Sequence, residues 1–412
     1  MKIDISFTTD ILDVINELKK IEGGKFYFVG GMVRDSLLCA ELKDVDLATN
    51  LKPDEITAHF ERKTEYRLIL VGCRFGTVGI TKVNDSKISL TKSISGIVEV
   101  TTFRSDGEYF DNRHPDSVDF SADIKSDLSR RDFTMNAIAM SIDDARELID
   151  PFNGAADIND RFIRTVGDAR KRFLEDGLRI LRAYRFAAQL GFSLDEELRM
   201  AAKELFPSLA SKLAAERVTE EIRKTVLAKN AEESVRLMAE DGITEILFGQ
   251  KISFTGLQEI KQKLPMRMAF LLKGADDAEE VIAKLAFSND EKDDIRFLVK
   301  ADYALLDEMF FDNLSLAKHL NKFSEKKARL LSEYFNREDL LFKLESFLGQ
   351  NPAVYVNDLD ITGNEIAEIL EIPIGPKIGE MKKILLERAQ RDQTLNNNST
   401  LRYMVEEIKN KS

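Results

Sequence analysis

The chain has 412 residues, 43% of them hydrophobic and 32% charged, and a formal net charge of −12. That length exceeds what one core usually organises, so two or more domains are expected. The acidic balance argues against a protein that coats nucleic acid nonspecifically and leaves room for a local basic groove. No apolar run approaches the roughly 20 residues that cross a bilayer. The opening MKIDISFTTD lacks the basic and apolar regions of a secretion signal. Cys39 and Cys73 are spaced neither as a disulfide framework nor as a zinc site. A cytoplasmic protein with no membrane partner is expected.

In chain order, Ile11, Val14, Ile15 and Leu18 share one face of a helix from about Asp10 to Lys20, capped by Thr9 or Asp10. FYFV (26–29) is a short apolar strand that ends at Gly30-Gly31. DVDLAT (44–49) alternates as a half-buried strand, with Asp44 and Asp46 on one face and Val45 and Leu47 on the other. Pro53 opens a further helix. RLILVG (67–72), FGTVGI (75–80), KISL (87–90) and GIVEVTTF (96–103) supply four more strands, rich in β-branched residues. Residues 104–125 are polar and aperiodic and read mostly as a mobile loop, and a helix is expected from about Asp132 in DFTMNAIAMSI. Beyond DPFNG (150–154), apart from a short β segment near RFIRTVG (161–167), the pattern is helical to the C-terminus. The expected fold is α+β: a head built on a mixed β-sheet with helices, then an all-α arm, with divisions at 1–150, 151–230 and 231–412.

Two carboxylates at i and i+2 of a strand project from one face, which suits a pair of divalent cations, and their hard oxygens favour Mg²⁺ over Zn²⁺. The pattern alone is common: Asp358-Leu359-Asp360 repeats it in the helical arm with no glycine turn before it. What distinguishes Asp44 and Asp46 is the turn upstream. Gly30 and Gly31 allow close backbone approach to an anion at a helix start, and Arg34 stands one turn further on. From these residues alone a glycine-bearing turn with surface charge remains an alternative to a triphosphate site; a dinucleotide site fits poorly, since GxGxxG is missing. Downstream, Asp176, Arg179, Arg182 and Arg185 recur every three residues and form one drifting stripe on a helix. It is either a solvated charged face or, because three arginines face one acid, a surface that welcomes phosphates.

GGMVRDSLL (30–38), KDVDLAT (43–49), FGTVGI, EVTTFR (99–104), RRDFTMNA (130–137), DPFNGAADI (150–158) and EDGLRILRAYRFAAQLGF (175–192) stand in the order of the bacterial tRNA nucleotidyltransferases. The chain resembles that family from about residue 26 to 228 and again at ITGNEIAEILEIPIGPKIGEMKKILL (361–386). The family also holds the bacterial poly(A) polymerases and belongs to the DNA polymerase beta superfamily. The resemblance implies a nucleotidyltransferase head over 1–150, a helical neck that recognises the base over 151–230, and a helical body and tail that bind tRNA over 231–412. It implies addition of C, C and A to the tRNA 3′ end from CTP and ATP, with Mg²⁺ held by Asp44 and Asp46 and Glu99 as a third acid. Gly30, Gly31 and Arg34 would meet the triphosphate, and Arg131 and Asp132 the nucleotide, the latter near its ribose. Asp176 and Arg179 would read the Watson–Crick edge, with Arg182 and Arg185 in the same nucleotide site.

The hydrogen-bond inventory of the bases agrees with that role for Asp176 and Arg179. Cytosine and adenine both present an exocyclic amine beside an acceptor ring nitrogen, which a carboxylate and a guanidinium satisfy together. Uracil and guanine reverse both groups and leave desolvated charge unpaired. The family pattern is broken at Gly177, where Pro or Ala is usual, and glycine there is expected to loosen the helix start by up to about 1 kcal/mol. The 104–125 loop, with Tyr109, Asp111, Arg113 and Pro115, is retained, which in the family favours full CCA or A addition over CC addition alone. AAERVTEEIRKTVLA (214–228) resembles a neck motif through Glu216, Arg217 and Glu221, or is equally a helix braced by its own charge pairs. The rival readings are an A-adding enzyme, a poly(A) polymerase, which the nearly neutral tail from Gln393 disfavours, and a non-catalytic RNA-binding scaffold, which has no use for metal ligands.

Overall fold

The computed structural model describes residues 7–42, 45–70, 76–83, 96–106, 118–119, 123–143 and 147–411. The chain divides into two compact units, Met1–Lys251 and Ile252–Ser412.

The first unit opens with α1 (Thr9–Leu18), which buries Val14, Ile15 and Leu18 from the expected apolar face. It continues with β1 (Phe26–Val29), α2 (Gly31–Leu37), β2 (Val45–Thr49) and α3 (Pro53–Phe60), the last begun by its proline as expected. A run of strands follows: β3 (Tyr66–Ile69), β4 (Thr77–Lys82), β5 (Val98–Thr102), β6 (Ser105–Asp106) and β7 (Val118–Asp119). The strand expected at KISL lies outside the described residues. Then come α4 (Ile124–Ser129), a 3₁₀ turn (Thr134–Asn136), β8 (Ala139–Ser141), β9 (Leu148–Ile149) and α5 (Gly154–Asp160). Among the described residues seven strands form one mixed sheet in the order β3-β4-β5-β2-β1-β8-β9. Only β2 and β5 run parallel within it, with Asp46 opposite Glu99, and the other neighbours are antiparallel.

One expectation needs correction here. No helix begins at Asp132: a 3₁₀ turn leads directly into β8, which pairs with β1 and β9. Ala137, Ile138, Ala139 and Met140 are all buried, and an apolar run covered on both sides carries no period that separates strand from helix. Gly154 lets α5 press against that turn, for a Cβ on it would lie 2.1 Å from the Thr134 carbonyl oxygen. Within the 104–125 stretch, read mostly as loop, β6 pairs with β7, and α4 begins at Ile124, capped by Asp123 Oδ1 accepting from Ser126 N–H at 2.8 Å. Residues 107–117 and 120–122, Tyr109, Asp111, Arg113 and Pro115 among them, lie outside the described set.

The unit closes with β10 (Phe162–Ile163), α6 (Ala169–Glu175), α7 (Leu178–Leu190), β11 (Ser193–Leu194), α8 (Glu196–Leu209), α9 (Ala215–Val226), α10 (Ala231–Glu240) and α11 (Ile243–Phe248). The short β segment foreseen near RFIRTVG is β10, paired in parallel with β11. The helix α7 is the pillar of this region. Ile180, Leu181, Ala183, Tyr184 and Ala188 are buried, and the Tyr184 hydroxyl donates to Asp241 Oδ2 at 2.7 Å. Asp241 also pairs with Arg199 and Lys203 of α8, so α7, α8 and the end of α10 are tied through one carboxylate.

The second unit is helical, as its sequence pattern foretells. Leu298, Leu306, Leu316, Leu331 and Leu344 centre one apolar core, and Ile361, Ile366, Leu385, Leu401 and Val405 a second. The Asp358-Leu359-Asp360 repeat is consumed by local structure: Asp358 Oδ2 accepts from the Val354 and Tyr355 N–H groups, and Asp360 Oδ2 from Asn398 N–H. No helix among the described residues is long and apolar enough to cross a membrane.

Candidate active site

The apolar strand β1 ends at a turn that only glycine fits. Gly30 has φ +68°, a left-handed conformation, and a Cβ there would also meet Arg131 Nη1 at 3.0 Å. The turn aims Gly30 and Gly31 into a cavity of about 710 Å³, walled by Asp46 of β2, Arg131, Asp132 and Asn136 beyond α4, and Asp176, Arg179, Arg182, Arg185 and Phe186 around α7. Arg34 lines it too, donating from Nη1 to Asn136 Oδ1 at 2.9 Å and from Nε to Asp35 Oδ1 at 2.8 Å. Eleven of the twelve candidate residues are described, and ten of them meet here. Glu99 lines a neighbouring cavity, and Asp44 lies outside the described residues.

Charge in this cavity is held in pairs. Asp127 on α4, 1% exposed, accepts from Arg130 Nη2 at 2.7 Å and Arg131 Nη2 at 3.0 Å, which fixes both arginines at the cavity wall. Burial pushes the Asp127 carboxyl up, but the charges of Arg131 and Arg130 outweigh it and hold the group below the ordinary carboxylate range. Arg131 Nε is buried without a hydrogen-bond partner among the described residues. Asp132 is likewise buried. It accepts from Arg182 Nε at 2.8 Å and Nη2 at 2.5 Å, from Asn136 Nδ2 at 3.1 Å and from Phe133 N–H at 2.8 Å. Burial raises its pKa, yet Arg182 and these bonds bring it down to about 2.

The stripe on α7 differs from its expected form. Asp176 is not on the helix but in extended backbone between α6 and α7, with Gly177 as N-cap. Arg179 and Arg185 are each 8% exposed, too buried for a solvated face. The three arginines are not short of acids either, since each has a carboxylate from elsewhere in the unit. Arg179 pairs with Glu175 at 2.6 Å, Arg182 with Asp132, and Arg185 with Glu221 of α9 at 2.5 Å. The guanidinium carbons of Arg34, Arg182 and Arg185 surround the Phe186 ring at 5.2, 5.5 and 3.9 Å, so its π-face offsets part of their mutual repulsion. Asp176 Oδ1 accepts from Leu178 N–H at 3.0 Å, while Oδ2 pairs with Arg217 of α9 at 2.7 Å. Gly177 lies close to the end of α8, where a Cβ on it would come 3.0 Å from Leu209 Cβ.

Several site residues escaped the sequence reading. Arg104, Arg130, Asn136, Phe186 and Arg217 all line the cavity. Arg130 and Asn136 flank the Arg131-Asp132 pair, and Phe186 follows Arg185, so proximity in sequence was a usable signal. Arg217 and Glu221 stood in a segment that reads equally as a neck motif or as a helix braced by its own charge pairs, and in the structure they pair with Asp176 and Arg185 of other elements.

Asp46 and Glu99, register partners on parallel strands, present two carboxylates at one place on the sheet. Among the described residues no three His, Cys, Asp or Glu side chains converge into a metal-holding group. The two oxygen-donor side chains fit a hard divalent cation, with the next carboxylate in the chain, Asp44, two residues before Asp46.

Residues 26–164 match the family model described as the poly A polymerase head domain, and residues 191–251 the one described as a probable RNA and SrmB-binding site of polymerase A. Over 365 residues the chain is 34% identical to a CCA-adding enzyme of Staphylococcus epidermidis, covering 87% of this chain and 82% of that one. The chain belongs to the family of CCA-adding enzymes. A relative from Geobacillus thermodenitrificans, also a CCA-adding enzyme, is 44% identical over 238 residues, a stretch that spans 58% of this chain and only 54% of that relative. The crystal structure of the Bacillus stearothermophilus CCA-adding enzyme in complex with CTP is similar with a TM-score of 0.79 at 27% identity, over 98% of this chain and 99% of that one.

Proposed function

We propose that this protein adds C, C and A to the 3′ end of tRNA, using CTP and ATP and no template. What carries the reading is the single cavity in which the glycine turn, the paired arginines and Asp176 with Arg179 face Asp46 in a chain of this family. In this reading residues 1–150 form the catalytic head and 151–230 the neck that handles the base. Residues 231–412 form a body and tail that follow the tRNA by shape and phosphate contacts, and the enzyme works in the cytoplasm. The 3′-hydroxyl oxygen of the RNA bonds to the α-phosphorus of the nucleotide as the bond to the β-phosphate oxygen breaks. Pyrophosphate leaves, and the hydroxyl proton passes to solvent.

Gly30, Gly31, Arg34 and Arg131 hold the phosphates, and Asp132 orients the ribose. Asp176 accepts from the exocyclic amine of C or A, Arg179 donates to the adjacent ring nitrogen, and Arg182 and Arg185 brace this wall. Asp44 and Asp46, with Glu99 as third acid, hold Mg²⁺, which when bound eases ionisation of the attacking hydroxyl and offsets charge on the phosphates.

The test is to incubate the protein with tRNA ending at the discriminator base, and separately in CC, with one or both nucleotides. Growth by C, C and then A is the expected result. Extension of only the CC-ended tRNA would make this an A-adding enzyme, and long A tails on unrelated RNA a poly(A) polymerase. Binding of tRNA without incorporation would leave a scaffold.

A further inference from the structure

A second cavity of about 440 Å³ shares Asp46, Arg104, Arg130 and Arg131 with the nucleotide cavity and adds Glu99, Thr77 and Thr101. Strand register explains its floor. Asp46 stands opposite Glu99 across β2 and β5, and Thr77 opposite Thr101 across β4 and β5. Glu99 and Thr101 are two apart on one strand and so share a face, with the threonine pair roughly 7 Å further along. The two Oγ1 atoms are 2.9 Å apart. Two hydroxyls carry two donor protons, and their mutual hydrogen bond uses one. Among the described residues one donor and several lone pairs remain for a guest.

A cross-strand threonine pair can serve the sheet alone, but this one lines a cavity beside the carboxylates. Nucleotidyl transfer brings two substrates to those carboxylates. The guanidinium-rich cavity suits the triphosphate, which leaves the neighbouring cavity to the RNA end. The group beside the attacking 3′-hydroxyl is the 2′-hydroxyl, both donor and acceptor, and a neutral hydroxyl pair matches it in both capacities. Resting on the nucleotidyltransferase reading above, we propose that Thr77 and Thr101 hold the terminal ribose of the growing RNA through its 2′-hydroxyl, and so select a ribose end over a 2′-deoxyribose end. They are positioning residues for the acceptor.

The experiment compares tRNA acceptors ending in ribocytidine or 2′-deoxycytidine, extended by wild type, Thr77→Val, Thr101→Val and Thr101→Ser. Valine keeps the β-branched shape and removes the hydroxyl; serine keeps the hydroxyl. Wild type is expected to favour the ribose end by about tenfold in kcat/KM, and each valine variant to bring the ratio within about twofold. The change should lie in KM for the ribose-ended acceptor, with KM for ATP unmoved, and Thr101→Ser should restore the preference. Equal use of both acceptors by wild type would overturn the proposal, as would valine variants that keep the wild-type ratio. Failure of wild type to extend either acceptor, while still binding the nucleotide, would instead overturn the nucleotidyltransferase reading and this proposal with it.

Discussion

Replacing Asp132 by Asn should remove a pH-dependent stabilisation of about 2 kcal/mol from the N-terminal unit. The carboxylate is 8% exposed. Burial works against its charge, and Arg182, Asn136 and the Phe133 N–H more than compensate, taking the pKa from 3.8 to about 2. At about 1.4 kcal/mol per pH unit that difference is worth about 2 kcal/mol. Because the folded-state pKa is the lower one, the contribution is complete above the unfolded value near 4 and is lost as pH falls from there through about 2. Asn keeps an acceptor for Phe133 but leaves Arg182 facing a neutral group. Urea unfolding of both proteins, followed by far-ultraviolet circular dichroism from pH 6 to pH 3, isolates the effect, since every other carboxylate is common to the pair. The stability gap should narrow by about 1 kcal/mol over that range. A gap that stays constant would show that the Asp132–Arg182 contact does not set the charge state of this carboxylate.

Asp176→Ala should blunt rejection of UTP and GTP in incorporation assays with each nucleotide alone; unchanged rejection would remove Asp176 from base selection. Arg217→Met should erode the same discrimination more weakly, because Asp176 then keeps only its Leu178 N–H bond. Gly177→Ala should lower stability by about 1–2 kcal/mol through overpacking against Leu209, read as a lower thermal midpoint; a rise would mean that the helix-start entropy matters more than the contact. Chelation of divalent cations should stop incorporation and added Mg²⁺ restore it, whereas Asp46→Asn should stay inactive at any Mg²⁺ concentration. Activity of that variant would exclude Asp46 as a metal ligand.

Strands β1 to β5 were legible because burial left a period or a turn beside them, as where FYFV runs into its glycine pair. β8 was not, since a segment covered on both sides has no polar face to betray its period. At the site the residue types were legible and their pairings were not. The arginines of α7 looked short of acids because their partners come from three other places, with Asp132 lying 50 residues away from Arg182 and Glu221 lying 36 from Arg185. Spacing along one helix cannot reveal a carboxylate delivered by another element. The close approach of Gly177 was hidden for the same reason, since its neighbour Leu209 belongs to α8.

Those pairings bear on how a template-free enzyme can refuse the wrong base. In the structure Arg179 bonds Glu175, Arg182 bonds Asp132, and Asp176 bonds Arg217. A cluster of guanidiniums in one half-buried cavity would otherwise repel itself, and each internal carboxylate offsets that repulsion. On the proposed reading, a base therefore does not meet bare charges. It must compete with partners already in place, and affinity becomes a difference between two sets of charged hydrogen bonds. Cytosine or adenine supplies both an amine for Asp176 and an acceptor for Arg179, so the exchange costs little. Uracil or guanine supplies neither, and the internal pairs simply persist, which makes rejection a property of the resting protein as much as of the contacts formed with the correct nucleotide.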